Sequence, residues 1–271
     1  MTVGQFLQTA VKKLEAAGIN SARLDCLILL EDTLHKDRAN VLAHPEIALS
    51  KSQSVQLNNY ITQREEHIPL AYIRGKVVFY GRYFTVNTHV LVPRPETEAM
   101  IDLLKKLSLP TRPRVADIGS GSGCIGITAA LEIPGANVFL YDIDSATCTI
   151  AKRNARDHNV RIHIAQQNVL AGCSEQFDVI LANLPYVPDG YEINTAATFE
   201  PELALFAGSD GLDVYRTFWQ QIHALNTKPQ YILIESLTQQ HQELSKLALE
   251  AGYSLTTADN LVQLFTYEVA N

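Results

Sequence analysis

The segment Arg114-Val-Ala-Asp-Ile-Gly-Ser-Gly-Ser-Gly123 joins a short apolar run to a glycine-rich turn, and it determines the fold prediction. Its valine, alanine and isoleucine favour a buried strand, and its three glycines permit a turn in which the backbone passes close to a ligand. A helical pattern follows Gly123, and the free N–H groups at the start of a helix suit an anionic group. The segment therefore predicts a strand, a ligand-binding turn and a helix.

The chain continues after this segment with alternating strands and helices. Further strands are predicted at Val138–Asp142, Arg161–Ala165, Phe177–Ala182, Gln230–Glu235 and Leu261–Val269, and helices after Gly123, Ser145, Gly211 and Thr238. This alternation predicts parallel βαβ units and an α/β, doubly wound sheet. Because only a short polar segment separates Tyr253–Thr257 from Leu264–Val269, we expect a terminal hairpin whose last strand runs antiparallel to the rest.

The chain before the decisive segment has a different pattern. Val3, Phe6 and Leu7 show helical spacing, and no strand-like alternation occurs before Tyr72. Residues 1–75 are therefore predicted to form a small bundle of helices. Residues 76–95 contain two short strand-like runs around a Gly-Arg turn and then two prolines, and they are predicted to form a β-hairpin linker. Residues 96–271 are predicted to form the sheet domain.

Composition excludes several classes of protein. No run of 18 apolar residues occurs, so a membrane span is not expected. The four cysteines form no CxxC pair, which disfavours a zinc ribbon, and we expect reduced thiols and no metal. The formal net charge of −7 disfavours loose binding to a phosphate backbone. The N-terminus lacks the apolar core of a signal peptide, so a soluble cytoplasmic protein is predicted.

Two kinds of cofactor are compatible with the glycine-rich turn. Gly121–Gly126 fits the G-x-G-x-x-G pattern of dinucleotide sites, which alone is a weak signal for NAD. Asp117 lies just before the turn, where it would repel a pyrophosphate and attract the amino group of an amino-acid moiety such as that of S-adenosylmethionine. Asp142, at the end of the next strand, suits the ribose hydroxyls of either cofactor. Alternatively, Asp142 or Asp144 caps the helix that begins near Ser145.

A second motif, Asn183-Leu-Pro-Tyr186, follows the apolar run Phe177–Ala182. A planar amide or amino nitrogen that accepts a methyl group carries two N–H bonds, and the Asn183 side-chain oxygen and the Leu184 carbonyl can accept both. The lone pair of the nitrogen would then face the methyl carbon. Pro185 restricts the backbone, and the tyrosine offers a flat face to a planar group. Taken alone these residues are typical of a plain turn, but their position after the fourth strand of the sheet favours a site.

Together, Asp117-Ile-Gly-Ser-Gly-Ser-Gly123, Asp142 and Asn183-Leu-Pro-Tyr186 resemble the motifs of class I S-adenosylmethionine methyltransferases that act on amino nitrogens. Leu91-Val-Pro-Arg-Pro-Glu-Thr-Glu98 and Gly208-Ser-Asp-Gly-Leu212 resemble the HemK/PrmC family in particular. The resemblance covers essentially the whole chain. It implies methylation of the N5 nitrogen of the glutamine in the Gly-Gly-Gln tip of class I peptide chain release factors, with S-adenosylhomocysteine as the other product.

The resemblance also implies roles for individual residues. The cofactor would be bound by Asp117, Gly119, Ser120, Gly121, Ser122, Gly123, Asp142, Asn168, Val169 and Asn183. The substrate glutamine would be held by Asn183, Leu184, Pro185 and Tyr186, of which Asn183 and Tyr186 are the expected catalytic residues. The helical domain would dock the release factor.

Three positions depart from the family pattern. Leu184 replaces the second residue of the usual Asn-Pro-Pro-Tyr, which is expected to cost some rigidity of the loop. Asn168 stands near the adenine where an aspartate is usual, which predicts weaker cofactor binding. Glu235-Ser-Leu replaces a Glu-x-Gly segment, so the conformation of that loop is left open.

Other functions remain compatible with the sequence. The same core serves methylation of a glutamine in a ribosomal protein, or of the exocyclic amine of a base in DNA or RNA. A nucleic-acid enzyme would need a basic channel, but the lysines and arginines of the helical region are intermingled with acidic residues, which favours a solvated surface. An NAD-dependent oxidoreductase and a cofactor-binding protein without catalysis are the alternatives from other classes.

Overall fold

The computed structural model describes residues 1–268, and these form two compact units. The first consists of Met1–Gly75 together with Asn194–Phe199, and the second of Lys76–Ile193 together with the chain from Glu200 onward. The three-part domain division made from the sequence stays a prediction.

The first unit is helical, as predicted. Its helices are α1 (Val3–Ala16), α2 (Ala22–Leu34), α3 (Arg38–Ala43), α4 (Lys51–Glu65) and α5 (Leu70–Arg74). Thr2 caps the start of helix α1. Its hydroxyl accepts the Gln5 N–H, and the Gln5 side chain accepts the Thr2 N–H. Apolar side chains from α1, α2 and α4, among them Phe6 and Leu29, form its core.

The second unit begins with a two-stranded hairpin, β1 (Lys76–Phe79) and β2 (Arg82–Thr85). Phe79 and Phe84 are buried in one cluster with Met100 of helix α6 (Glu98–Leu104). The Asn154 side chain accepts the Thr85 N–H and donates to the Thr85 carbonyl. The hairpin is therefore packed against the sheet unit by buried apolar surface and paired polar groups.

A seven-stranded sheet forms the centre of this unit. The strands are β3 (Arg114–Ile118), β4 (Asn137–Asp142), β5 (His163–Gln166), β6 (Val179–Ala182), β7 (Tyr231–Glu235), β8 (Tyr253–Asp259) and β9 (Val262–Tyr267). Their order is β5-β4-β3-β6-β7-β9-β8, with β3 to β7 parallel and β9 antiparallel to both neighbours. The doubly wound sheet and its antiparallel terminal hairpin are confirmed, and Val269, the predicted end of the last strand, lies outside the described residues.

Helices cover both faces of the sheet. They are α7 (Cys124–Glu132), α8 (Ser145–Asp157), α9 (Asp213–Ala224) and α10 (His241–Glu250). Successive residues of β3 point to opposite faces of the sheet. Val115 therefore packs in the cluster of α6, α7 and α8, and Ile118 packs in the cluster of α9 and α10. Because the strands are parallel, their carboxyl ends meet at one edge, where an open sheet of this type binds ligands.

In residues 1–268, no helix combines the length and the apolar character needed to cross a membrane. Over the same residues, histidine, cysteine and carboxylate side chains form no group of three or more that could hold a metal ion.

Candidate active site

A cavity lies at the carboxyl edge of the parallel strands. The predicted site residues in its lining are Gly119, Ser120, Gly121, Ser122, Asp142, Asn168, Val169, Asn183, Leu184 and Pro185. Three other predicted residues do not line it: Asp117, Gly123 and Tyr186. The turn after β3 and the loop after β6 are thus brought to one site, although 60 or so residues separate them in the chain.

The turn after β3 is shaped by its glycines. Gly119, Gly121 and Gly123 all have positive φ angles, of 70°, 55° and 79°, a conformation that side chains with a Cβ disfavour. The N–H groups of Gly119 and Ser120 donate to the Tyr141 carbonyl, which ties the turn to the end of β4. The Ser120 hydroxyl is buried and has no hydrogen-bond partner among residues 1–268, so it is a group that a ligand in the cavity would satisfy.

Asp117 lies behind the turn, on the face where β3 packs against α7. Its side chain is fully buried, and Oδ2 accepts the Gly126 N–H at 2.8 Å. Burial raises the pKa of this carboxyl to about 7. A Cβ on Gly126 would lie 2.9 Å from Asp117 Oδ2 and 2.6 Å from Leu140 Cδ1, so a glycine is needed for this close approach. Asp117 thus anchors the start of α7, and its contact with a cofactor amino group stays a prediction.

Asp142 and Asp144 have separate roles. Asp144 caps α8, because its Oδ1 accepts the Ala146 N–H. The Asp142 carboxylate accepts the Gly121 N–H at 2.9 Å and the Asp144 N–H at 3.0 Å, and burial raises its pKa. A carboxylate has about four lone-pair sites, so Asp142 can still accept hydroxyl groups from the cavity. The helix cap expected at one of these two residues is therefore Asp144, and Asp142 faces the cavity.

The loop after β6 joins a polar cluster at the edge of the cavity, in which Thr97 and Asn183 line the cavity. The Asn183 Nδ2 donates to Thr97 Oγ1 at 3.4 Å, and the Tyr186 hydroxyl donates to Glu235 Oε1 at 3.0 Å. The Glu235 carboxyl, at the end of β7, also faces Thr97 and Asn183, and burial raises its pKa. Burial and the nearby Glu235 carboxylate raise the pKa of Tyr186, which keeps its hydroxyl protonated and able to donate.

Leu184 is supported by two contacts that its position in the sequence does not reveal. Its N–H donates to the Tyr215 hydroxyl at 3.4 Å, and that hydroxyl donates to the Glu235 carbonyl at 2.6 Å. Its side chain is buried against Gly119, where a Cβ would lie 2.8 Å from Leu184 Cδ2. A leucine at this position therefore packs the loop after β6 directly on the glycine-rich turn.

Replacing Tyr215 with phenylalanine is expected to lower the free energy of unfolding by about 2 kcal/mol, because the buried Leu184 N–H and Glu235 carbonyl both lose a partner. Urea denaturation measures the effect. Tyr253→Phe is the matched control, since within residues 1–268 the buried Tyr253 hydroxyl donates only to the Pro229 carbonyl, and a loss of about 1 kcal/mol is expected there. Equal losses in the two variants would show that the Tyr215 bridge adds nothing.

Several site residues are not distinguished by the sequence reasoning. Arg94 lines the cavity, and its guanidinium bonds to the buried Glu200 carboxylate at 2.5 Å. The second oxygen of Glu200 accepts the Val92 N–H. The prolines on both sides of Arg94 indicate a restrained loop. The ion pair with Glu200 could not be predicted, because over one hundred residues separate the two in the sequence.

The loop after Glu235 adopts a conformation that requires no glycine. Leu237 has φ −63° and ψ 142°, which any residue can adopt. Its N–H donates to Gln240 Oε1, while Gln240 Nε2 donates to the carbonyls of Tyr186 and Asp210. The replacement of glycine at position 237 therefore leaves this loop unstrained and bonded to the loop after β6.

Comparison with known proteins identifies the family. A model described as the PrmC N-terminal domain matches residues 5–75, and one described as the methyltransferase small domain matches residues 97–200. A bifunctional methyltransferase of Rickettsia bellii is 31% identical over an alignment of 295 positions, which covers 97% of this chain and 52% of that protein. The chain thus spans about half the length of this relative.

Two further proteins extend the comparison. The catalytic domain of hMettl16, solved in complex with the MAT2A 3′UTR hairpin 6, has a TM-score of 0.56 at 14% identity, covering 82% of this chain and 83% of that one. This likeness shows a shared fold. The release factor glutamine methyltransferase of Koribacter versatilis is 36% identical over 228 residues, which cover 82% of this chain and 81% of that protein. The chain therefore belongs to the family of release factor glutamine methyltransferases.

Proposed function

We propose that this chain transfers a methyl group from S-adenosylmethionine to the N5 nitrogen of the glutamine in the Gly-Gly-Gln motif of class I peptide chain release factors. The observation that carries the proposal is the orientation of Asn183, which lines the cavity while its Nδ2 faces Thr97. The Oδ1 end is then available to accept an N–H from a substrate amide. The name and coverage of the Koribacter versatilis relative support the identity of the substrate.

The residues around the cavity fit S-adenosylmethionine. Asp142 would accept the ribose hydroxyls, and the unpaired Ser120 hydroxyl and the turn around Gly121 would bind the methionine end. Asn168 would accept one hydrogen bond from the adenine amino group. When bound, the cofactor supplies an electrophilic methyl group attached to a positively charged sulfur. Membership of a methyltransferase family favours this cofactor over the dinucleotide that the glycine pattern also permits.

The loop after β6, residues 183–186, is here called the substrate loop, and it would orient the glutamine. The Asn183 Oδ1 and the Leu184 carbonyl would accept the two N–H bonds of the carboxamide, which leaves the nitrogen lone pair facing the methyl carbon. Two acceptors also stabilise the positive charge that develops on that nitrogen. A methylated amide nitrogen loses its proton readily, so these residues need no separate base. Pro185 and Tyr186 would restrict the glutamine side chain from its other sides.

The helical first unit would dock the release factor. It matches the PrmC N-terminal domain model. Its apolar core is separate from the two apolar clusters of the sheet unit. A docking role accounts for the presence of a separate helical core in an enzyme whose chemistry is placed on the sheet.

Transfer of a labelled methyl group to a purified release factor tests the proposal. Label is expected on the release factor and not on its Gly-Gly-Ala variant, and not on a ribosomal protein supplied in its place. Label on the ribosomal protein, or on both forms of the release factor, would contradict the proposed substrate.

Replacing Asn168 with aspartate is expected to tighten cofactor binding by about fivefold. A charged acceptor strengthens a hydrogen bond to the adenine amino group by about 1 kcal/mol relative to a neutral one. Titration calorimetry with S-adenosylhomocysteine measures the change. Asn137→Asp is the matched control, since Asn137 begins β4 at the opposite edge of the sheet and the same charge change there should not alter binding. Unchanged affinity in Asn168→Asp would contradict the assignment.

A further inference from the structure

A cluster of polar side chains lies beside the cavity, and its centre is Glu235. This carboxyl is 1% exposed and does not line the cavity. Thr97, which is 2% exposed, lies beside it, and the Asn183 and Tyr186 side chains approach it from the substrate loop. Burying a carboxylate is costly unless its oxygens are paired with hydrogen-bond donors. Oε1 accepts the Tyr186 hydroxyl, whereas Oε2 is buried with no hydrogen-bond partner among residues 1–268, so it favours donors on the side chains beside it.

The cluster favours one of the two possible orientations of the Asn183 carboxamide. The two ends of a carboxamide have nearly the same shape, but one end only donates and the other only accepts. Methyl transfer as proposed above requires the accepting end, Oδ1, to face the substrate. The Asn183 Nδ2 instead faces Thr97 Oγ1 at 3.4 Å, on the Glu235 side of the loop. The Glu235 Oε2, which is buried with no hydrogen-bond partner among residues 1–268, attracts the donating end of the amide, so it favours this orientation and opposes the reverse.

Tyr186 is held by the same residue. Its hydroxyl donates to Glu235 Oε1 at 3.0 Å, and its carbonyl accepts from Gln240 Nε2 at 2.8 Å. The hydroxyl of this tyrosine is therefore tied to the last residue of β7, and its carbonyl to the segment that follows β7. The Glu235 carbonyl is itself fixed by the Tyr215 hydroxyl, which also bonds to the Leu184 N–H.

We propose that Glu235 is a positioning residue, which orients the Asn183 carboxamide so that Oδ1 faces the substrate and fixes the Tyr186 ring through its hydroxyl. This inference rests on the proposed function for its catalytic consequence, but the orientation of Asn183 exists in the protein without substrate. Glu235 acts through Asn183 and Tyr186 and touches neither the cofactor nor the reacting nitrogen.

Glu235→Gln isolates this role. Glutamine has the shape of glutamate and keeps an oxygen that can accept the Tyr186 hydroxyl, but its amino end now competes with the Asn183 Nδ2 for acceptors. With a release factor as substrate, kcat is expected to fall about tenfold to a hundredfold, the size of effect that misplacement of a reacting group causes. The Kd for S-adenosylhomocysteine is expected to stay within about twofold, because Glu235 does not line the cavity.

Glu132→Gln is the matched control. Glu132 is a partly buried glutamate that pairs with Arg82 and Lys105, and it lies on the hairpin side of the sheet unit. The same change of charge there is expected to leave kcat unaltered. Circular dichroism and urea denaturation of both variants separate a loss of positioning from a loss of fold.

A second measurement does not depend on activity. The side-chain NH₂ resonances of Asn183, assigned in the free protein by their loss in Asn183→Ala, report what that group donates to. They are expected to shift in Glu235→Gln and to stay in place in Glu132→Gln. Unchanged Asn183 resonances would overturn the positioning role whatever the substrate.

The two proposals fail in different ways. If the wild-type chain methylates the release factor and Glu235→Gln does so at the same rate, the positioning role is wrong and the proposed function stands. If the wild-type chain does not methylate it, the proposed function is wrong, and the Asn183 resonances alone decide whether Glu235 orients that side chain.

Discussion

Replacing Asn183 with alanine is expected to lower the rate of methyl transfer by roughly 10²–10³-fold while leaving the affinity for S-adenosylhomocysteine largely unchanged. The variant removes the side-chain oxygen that would accept one N–H of the substrate carboxamide, and with it the group that would stabilise developing charge on the nitrogen. The backbone of the loop is retained by the Leu184 N–H bond to Tyr215 and by the packing of Leu184 on Gly119.

Single-turnover transfer from labelled cofactor measures the rate, and titration calorimetry measures the affinity. Asn137→Ala is the control, because Asn137 lies at the start of β4, at the edge of the sheet that is remote from the cavity. Full activity in Asn183→Ala would contradict the catalytic role of this residue. Loss of cofactor binding in the same variant would instead assign Asn183 chiefly to the cofactor.

Replacing Gly211 with alanine is expected to destabilise the protein by about 2–5 kcal/mol and to abolish methyl transfer. Gly211 has φ 76°, which costs a residue with a Cβ about 1–2 kcal/mol. A Cβ there would also lie 2.2 Å from the Tyr186 carbonyl oxygen and 2.7 Å from Gln240 Nε2. Relieving this clash requires a movement of the Tyr186 backbone, and such overpacking typically costs a further 1–3 kcal/mol.

Gly172→Ala provides the comparison, because Gly172 has φ 71° but no atom within 4 Å of the position of a Cβ. That variant is expected to lose only the 1–2 kcal/mol of backbone strain and to keep its activity. Urea denaturation and methyl transfer are measured on both. Equal stability of the two variants would show that the space beside the Tyr186 carbonyl is not limiting.

The sheet could be predicted because its signals are local. The apolar run of β3, the glycines after it and the alternation of strand and helix patterns are all readable within short windows, and the antiparallel terminal hairpin follows from its short polar turn. Strand ends were less well defined: β5 begins at His163 and not at Arg161, and β6 begins at Val179 and not at Phe177. The ends of strands depend on hydrogen bonds to neighbouring strands.

The site could be predicted only in part. The glycine-rich turn and the loop from Asn183 to Pro185 line one cavity, as expected for the carboxyl ends of neighbouring strands. The sequence could not show that Asp117 is buried behind the turn, since a carboxylate before a glycine motif has the same pattern whether it faces the cavity or the adjacent helix.

By itself, therefore, the sequence determined the doubly wound sheet, the helical first unit and the two motifs that belong to the site, because periodicity and glycine spacing are properties of neighbouring residues. Only the tertiary structure decided what surrounds those motifs. It placed Glu235 beneath Asn183 and Tyr186, Glu200 beside Arg94, and the Tyr215 hydroxyl at the Leu184 N–H. These partners are distant along the chain, and they meet because buried donors and acceptors must find one another when the strands assemble.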